Sequence, residues 1–170
     1  MVEVHRRRWL IGIGATTAFV GVAAAGLKLT APPPAPETVF TLLDGARLCT
    51  RDWRGQVALL QFWATSCTTC VAEMPQLITL HQDLAPRGLR TLAVAMRYDR
   101  PEHVSHYART RQLPFELAFD ADGSAARGWG DVRLTPTTFL LGRDGRIRRR
   151  ITGALDFAAL RQDIELAMRA

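Results

Sequence analysis

The 170-residue chain has three cysteines, and only Cys67 and Cys70 form a close pair. A closed zinc centre calls for a second ligand pair at suitable spacing, and Cys49 stands alone, which argues against one. Lysine is scarcer still. Lys28 is the sole example, so everything downstream lacks a lysine that could move a proton. Aromatic residues make up 8% of the chain. None is interleaved in the one basic cluster beyond the N-terminus, Arg146 to Arg150, which therefore lacks the stacking partners of a nucleic-acid site. Of the +6 net charge, half belongs to residues 1–29, where four Lys/Arg oppose Glu3. The remainder has an ordinary solvated surface, and no nucleic-acid partner is expected.

What the first residues do contain is a basic cluster, His5-Arg6-Arg7-Arg8, followed by an uncharged run from Trp9 to Leu27 rich in Gly, Ala, Ile and Val. Such a run is long enough to cross a bilayer as a helix with its positive flank on the cytoplasmic side. We read 1–29 as a signal or membrane anchor, uncleaved because the apolar run exceeds a typical signal core. The alternative is a cleaved, twin-arginine-like signal (Arg6-Arg7-Arg8-Trp9-Leu10, with Ala23-Ala24-Ala25 as small residues for cleavage) and a soluble periplasmic product. Either route exports the domain, which places it in the periplasm of a bacterium, with the anchor in the inner membrane. Residues 30–37, centred on Ala31-Pro32-Pro33-Pro34-Ala35-Pro36, favour polyproline II and read as a stiff linker. Residues 38–170 form one domain. With 48% apolar residues overall, the chain can bury a core of ordinary size.

Within that domain, Val39–Leu43 and Ala46–Leu48 flank the turn dipeptide Asp44-Gly45, which predicts an opening hairpin. "QVALLQFW", Gln56 to Trp63, suits a central strand covered on both faces. Val71, Met74, Leu77, Ile78, His81 and Leu84 recur at helical spacing up to Pro86 and Gly88. Leu89–Met96 is the next strand, Pro101–Arg111 a helix, Phe115–Phe119 a strand and Asp122–Trp129 a short helix. Thr137–Leu141 and Arg146–Ile151 then flank Arg143-Asp144-Gly145 as a second hairpin, and Asp156 opens a final helix. The pattern is α/β, a central mixed sheet flanked by helices, with no internal repeat.

The pair Cys67 and Cys70 ends the apolar strand and opens the first helix. A thiol there faces free backbone N–H groups and the positive end of the helix dipole, which stabilise its thiolate. Cys67 is thus a usable nucleophile. Cys70, one turn on and more deeply covered, is placed to resolve a mixed disulfide and leave the pair oxidised. A structural staple over so short a loop would restrict the unfolded chain little. His81, His103 and His106 complete no ligand set for a metal. Electron transfer is the reading that the chemistry favours.

The two stretches "LLQFWATSCTTCVAEMP" and "TPTTFLLGRDGRI" together resemble the exported, membrane-tethered thioredoxin-like proteins of the TlpA/ResA type, a Redoxin-like group that includes reductants of cytochrome c maturation. The resemblance runs from about Val39 onward. It implies a thioredoxin-like fold with an N-terminal hairpin. It also implies an exported protein-disulfide reductase that needs no cofactor beyond a redox-active Cys67–Cys70 disulfide. Its partners would be disulfide-containing periplasmic clients, such as cytochrome c maturation or oxidase assembly factors, and a membrane thiol donor. Carried over by residue, Cys67 attacks and Cys70 resolves. Pro136 follows a cis bond that leaves the Thr135 backbone to pair with substrate, and Thr135 and Trp63 are the substrate-contacting residues. Ordinary thioredoxins carry a buried aspartate six residues before the first cysteine, where Gln61 stands here. The group resembled instead carries a glutamate three residues after the second cysteine, and Glu73 fills that place. A carboxylate one turn beyond Cys70 could exchange its proton.

Some features depart from that pattern. Ser66 replaces a common tryptophan, and Thr68-Thr69 lack the proline or charge usual between such cysteines. Pro75 should kink the first helix. Cys49 is either a semi-buried core thiol or the seat of a mixed disulfide with a partner. Copper handling is the alternative function, since soft thiolates suit Cu(I), though the wider cysteine spacing and nearby histidine of such carriers are lacking. Peroxide reduction ranks last, because Leu60 and Ala64 stand where a proline and a threonine would precede the reactive cysteine.

Overall fold

The computed structural model describes residues 31–170, so the expected anchor at 1–29 lies outside the described residues. Among the described residues, no helix is long and apolar enough to cross a membrane. The order of elements is β1 (Val39–Thr41), β2 (Arg47–Cys49), β3 (Val57–Trp63), α1 (Thr68–Leu84), β4 (Leu89–Ala95), α2 (Pro101–Arg111), β5 (Glu116–Phe119), α3 (Ser124–Gly128), β6 (Thr137–Leu141), β7 (Ile147–Thr152) and α4 (Phe157–Arg169). Short 3-10 turns follow β2 and α1. The chemistry of the termini matches the sequence reading. Pro101 opens α2, where its missing N–H costs nothing, and Asp156 caps α4 by accepting from the N–H groups of Ala158 and Ala159, each at 3.0 Å.

Five strands form one sheet in the order β5-β4-β3-β6-β7. β3 lies at its centre, parallel to β4 and antiparallel to β6. Every residue of β3 is buried, because helices and the N-terminal hairpin cover opposite faces. Val57, Leu59 and Trp63 face a core shared with Met74 and Leu77 of α1, Val104 of α2 and Ile164 of α4. Ala58, Leu60 and Phe62 face Phe40 and Trp53 from the hairpin side, together with Trp129, Val132 and Phe139. That second core is aromatic, with Trp129 and Phe139 edge to face at 4.9 Å between centroids.

Both sheet edges are covered. The hairpin β1–β2 reaches β5 through a bridge between Leu42 and Ala118. On the other side the proline tract is bound along the β6–β7 hairpin. The Ile147 N–H donates to the Pro33 carbonyl, the Ala35 N–H donates to Gly145, and the Arg146 guanidinium donates to the Pro32 carbonyl at 2.6 Å. From Pro32 to Ala35 the expected linker is thus held against the domain. Prolines donate nothing, but their extended backbone presents carbonyls that an edge can bind.

Candidate active site

The chain leaves the C-terminal end of β3 at Trp63 and turns once, with the Cys67 N–H donating to the Ala64 carbonyl at 3.1 Å. Cys67 is the N-cap of α1. Its backbone is extended and its Sγ accepts the Cys70 N–H at 3.1 Å. One free donor of the helix terminus is thereby aimed at the sulfur that must carry negative charge. Cys67 and Cys70 form a disulfide with Cα atoms 5.2 Å apart. Cys67 is half-buried, whereas Cys70 is 1% exposed and packs among the core residues under α1. Only one of the two sulfurs is open to an incoming partner.

β6 runs antiparallel to β3, with Phe62 opposite Thr137, so the start of β6 lies at the same end of the sheet as the cysteines. The Thr135–Pro136 bond there is cis. Pro136 is buried and its carbonyl accepts the Gly153 N–H at 2.8 Å, while Thr135 is partly exposed.

Glu73 is 7% exposed and lies one turn beyond Cys70 on the buried face of α1. One carboxylate oxygen accepts the Leu155 N–H at 2.6 Å, just before the cap of α4. The other is buried without a partner. Burial raises its pKa above the ordinary carboxylate value, opposed only in part by the Leu155 hydrogen bond. Such a group is poised to hold or release a proton. Gln61 is buried opposite Thr138 and cannot titrate.

Trp63 requires a correction. It is 0% exposed, with its ring packed 5.4 Å from Tyr107 of α2. As the last residue of a strand covered on both faces, it supports the floor beneath Cys70 and does not meet a substrate. The histidines stand apart from the dithiol. His81 lies roughly 20 Å along α1 from Cys67 by helical rise. There it hydrogen-bonds Thr91 and meets the edge of Phe115, and burial lowers its pKa. His103 and His106 are exposed. No group of three His, Cys, Asp or Glu residues suited to a metal occurs among the described residues. Cys49 is a partly buried free thiol whose sulfur accepts the Arg51 Nε–H at 3.1 Å.

Two residues near the dithiol escaped the sequence reading. Asp99, buried in the loop after β4, accepts both the backbone N–H and the hydroxyl of Thr65, at 2.5 and 2.7 Å. It fixes the turn that presents Cys67. Its neighbour Tyr98 hydrogen-bonds the Thr135 hydroxyl at 3.1 Å. The available signal was topological: loops after adjacent parallel strands emerge at the same end of a sheet, where sites in such folds gather. A cavity of about 630 Å³ lies at the other end, lined by Gln56, Leu89 and Glu116 at or near the strand starts. It takes no part in the dithiol chemistry.

A half-open cysteine capping a helix over its buried partner, on a sheet of this order, is the arrangement of a thioredoxin-fold thiol–disulfide oxidoreductase. The chain belongs to the Redoxin family, whose profile matches residues 31–164. It is 30% identical over 131 residues to the thiol-disulfide oxidoreductase ResA of Geobacillus thermodenitrificans, covering 77% of this chain and 74% of that one. Against ResA of Bacillus thuringiensis subsp. konkukian the identity is 29% over 147 residues, with 85% and 82% covered. Among solved structures, a putative thioredoxin from Neisseria meningitidis superposes with a TM-score of 0.75 at 35% identity, covering 81% of this chain and 91% of that one.

Proposed function

We propose that the protein reduces disulfides of client proteins on the outer side of a bacterial inner membrane, held there by its N-terminal segment. The observation that carries this reading is the half-open Cys67 over the buried Cys70 at the start of α1. In the reduced enzyme the Cys67 thiolate attacks one sulfur of a client disulfide. A Cys67–client bond forms and the client's own S–S bond breaks, releasing one client thiolate. Cys70 then loses its proton to the Glu73 carboxylate and attacks the Cys67 sulfur, expelling the second client thiolate. The client gains two electrons and the enzyme leaves as the Cys67–Cys70 disulfide. The partly exposed Thr135 supplies backbone to an extended client segment beside Pro136. A membrane thiol donor restores the dithiol, and cytochrome c maturation or oxidase assembly factors are the client class in view.

The test is trapping in intact cells. A Cys70→Ser variant accumulates disulfide-linked clients, and these disappear when Cys67 is also replaced. If nothing is trapped and the wild-type protein does not reduce insulin, the proposal is wrong. The reduction potential then fixes the direction, since a strongly oxidising value would make the same residues an oxidant.

A further inference from the structure

At the cysteine end of the sheet, a cleft of about 340 Å³ opens between the loop after β4, α3 and the approach to β6. Arg97, Arg127 and Arg133 line it, against one carboxylate, Asp131. That carboxylate is already taken, accepting the Arg133 Nε–H at 2.7 Å. Arg97 and Arg127 form no close ion pair among the described residues; Arg127 donates to the Asp122 carbonyl at 2.9 Å, and its charge helps to lower the pKa of the Asp122 carboxylate. Gly123, the residue before α3, makes room for both. A Cβ there would lie 2.7 Å from Cδ of Arg97 and 3.1 Å from a terminal nitrogen of Arg127. The backbone at Gly123 is also left-handed, at φ +74°.

The cleft is tied to the segments that flank the dithiol by two side-chain contacts. Tyr98 lines it and hydrogen-bonds Thr135, while the adjacent Asp99 holds the turn that leads to Cys67. Arg133 is followed directly by Leu134, Thr135 and Pro136. Tyr98 and Leu134 are 56% and 66% exposed, two of the four large apolar side chains that the described surface leaves open. Two exposed apolar side chains thus stand beside a cleft lined by guanidinium groups.

We infer that this cleft selects the client: the segment bearing the target disulfide carries an Asp or Glu next to its cysteine, received by Arg97 and Arg127. The apolar residues of that segment lie across Tyr98 and Leu134. The inference rests on the reductase reading and adds the chemistry of its partner. Arg97 and Arg127 are specificity residues. They stay apart from the electron transfer and act by holding a client carboxylate.

Two synthetic peptides, each closed by one disulfide and differing only in Glu or Gln beside the cysteine, serve as probes for the full-length reduced protein. The Glu peptide is expected to be reduced with a kcat/KM about five times that of the Gln peptide, the scale of one partly exposed ion pair. The ratio falls toward one as salt is raised to about 1 M, where screening acts within about 3 Å. It also falls toward one in an Arg97→Gln, Arg127→Gln double variant. It stays near five in Arg169→Gln, another exposed charge at the end of α4. Equal reduction of both peptides by the wild type overturns the inference alone, as does a ratio that survives in the double variant or collapses equally in Arg169→Gln. Reduction of neither peptide refutes the reductase reading and this inference with it. Because the salt titration uses the unmodified protein, a double variant that fails to fold does not remove the test.

Discussion

Replacing Glu73 separates its charge from its hydrogen bond. The carboxylate holds the Leu155 N–H at 2.6 Å with one oxygen and has no partner at the other. Glu73→Ala removes the acceptor, leaves that amide unpaired and is expected to cost about 1–3 kcal/mol of stability at pH 4, where the wild-type side chain carries no charge penalty. Glu73→Gln keeps an amide oxygen for Leu155 and removes only the titration. Because burial raises the folded pKa of Glu73, the folded state binds the proton more tightly than the unfolded chain. The stability gained from the neutral carboxyl is complete below about 4.5, the ordinary value, and is lost as pH rises through the higher folded pKa. Each unit of elevation costs about 1.4 kcal/mol above that pKa. Wild type and Glu73→Gln should therefore differ least in urea unfolding at pH 4, and Glu73→Gln should gain relative to wild type at pH 8. Kinetically, the Gln variant should still form the mixed disulfide through Cys67 but resolve it at least tenfold more slowly, a conservative share of the usual proton-transfer contribution. Its resolution rate should also lose the acidic limb of its pH profile. Stopped-flow measurement of mixed-disulfide decay from pH 5 to 9 reads this directly. Superimposable profiles for wild type and Glu73→Gln would refute a proton-transfer role, and equal stability differences at pH 4 and pH 8 would refute the buried-carboxylate argument.

Further outcomes follow from the packing. Asp99→Ala strips Thr65 of two hydrogen-bond acceptors and should cost about 2–3 kcal/mol in urea unfolding; insulin reduction should slow, because the turn before Cys67 loses its anchor. Trp129→Ala should cost about 3–5 kcal/mol, since its ring packs on Phe62 and Phe139 and its indole N–H donates to Thr38; thermal unfolding at fixed pH checks this. Asp156→Ala should cost about 1 kcal/mol through loss of the α4 cap, while Asp156→Asn should cost much less. Cys49→Ser should leave the spectrum of species trapped by Cys70→Ser unchanged on non-reducing gels, because Cys49 is free in the N-terminal hairpin and Cys67 is the open sulfur of the pair.

Local chemistry was written plainly in the chain. The unbroken apolar run of β3, the Asp44-Gly45 turn, Pro101 at the start of α2 and Asp156 at the start of α4 each act through neighbours in sequence. Their elements appear within a residue or two of where the pattern puts them. The roles of Cys67 and Cys70 were legible for the same reason, because a strand-to-helix junction exposes the first thiol and buries the second over only three residues. Burial that depends on distant segments was not legible. Trp63 read as a surface for substrate, yet α2 arrives from forty residues away to cover it with Tyr107. The proline tract read as a spacer, yet it met the far edge of the sheet at Ile147.

The sequence by itself determined the strand-to-helix dithiol, the order of elements and a carboxylate one turn beyond Cys70, because each rests on spacing along the chain. Only the tertiary structure decided that Glu73 is buried against Leu155, that Asp99 clamps the turn before Cys67 and that Arg97 and Arg127 line one cleft at the cysteine end of the sheet. Those facts arise where segments far apart in sequence are brought to one end of a sheet. The cost of desolvating a charge and the gain from pairing it depend on that enclosure.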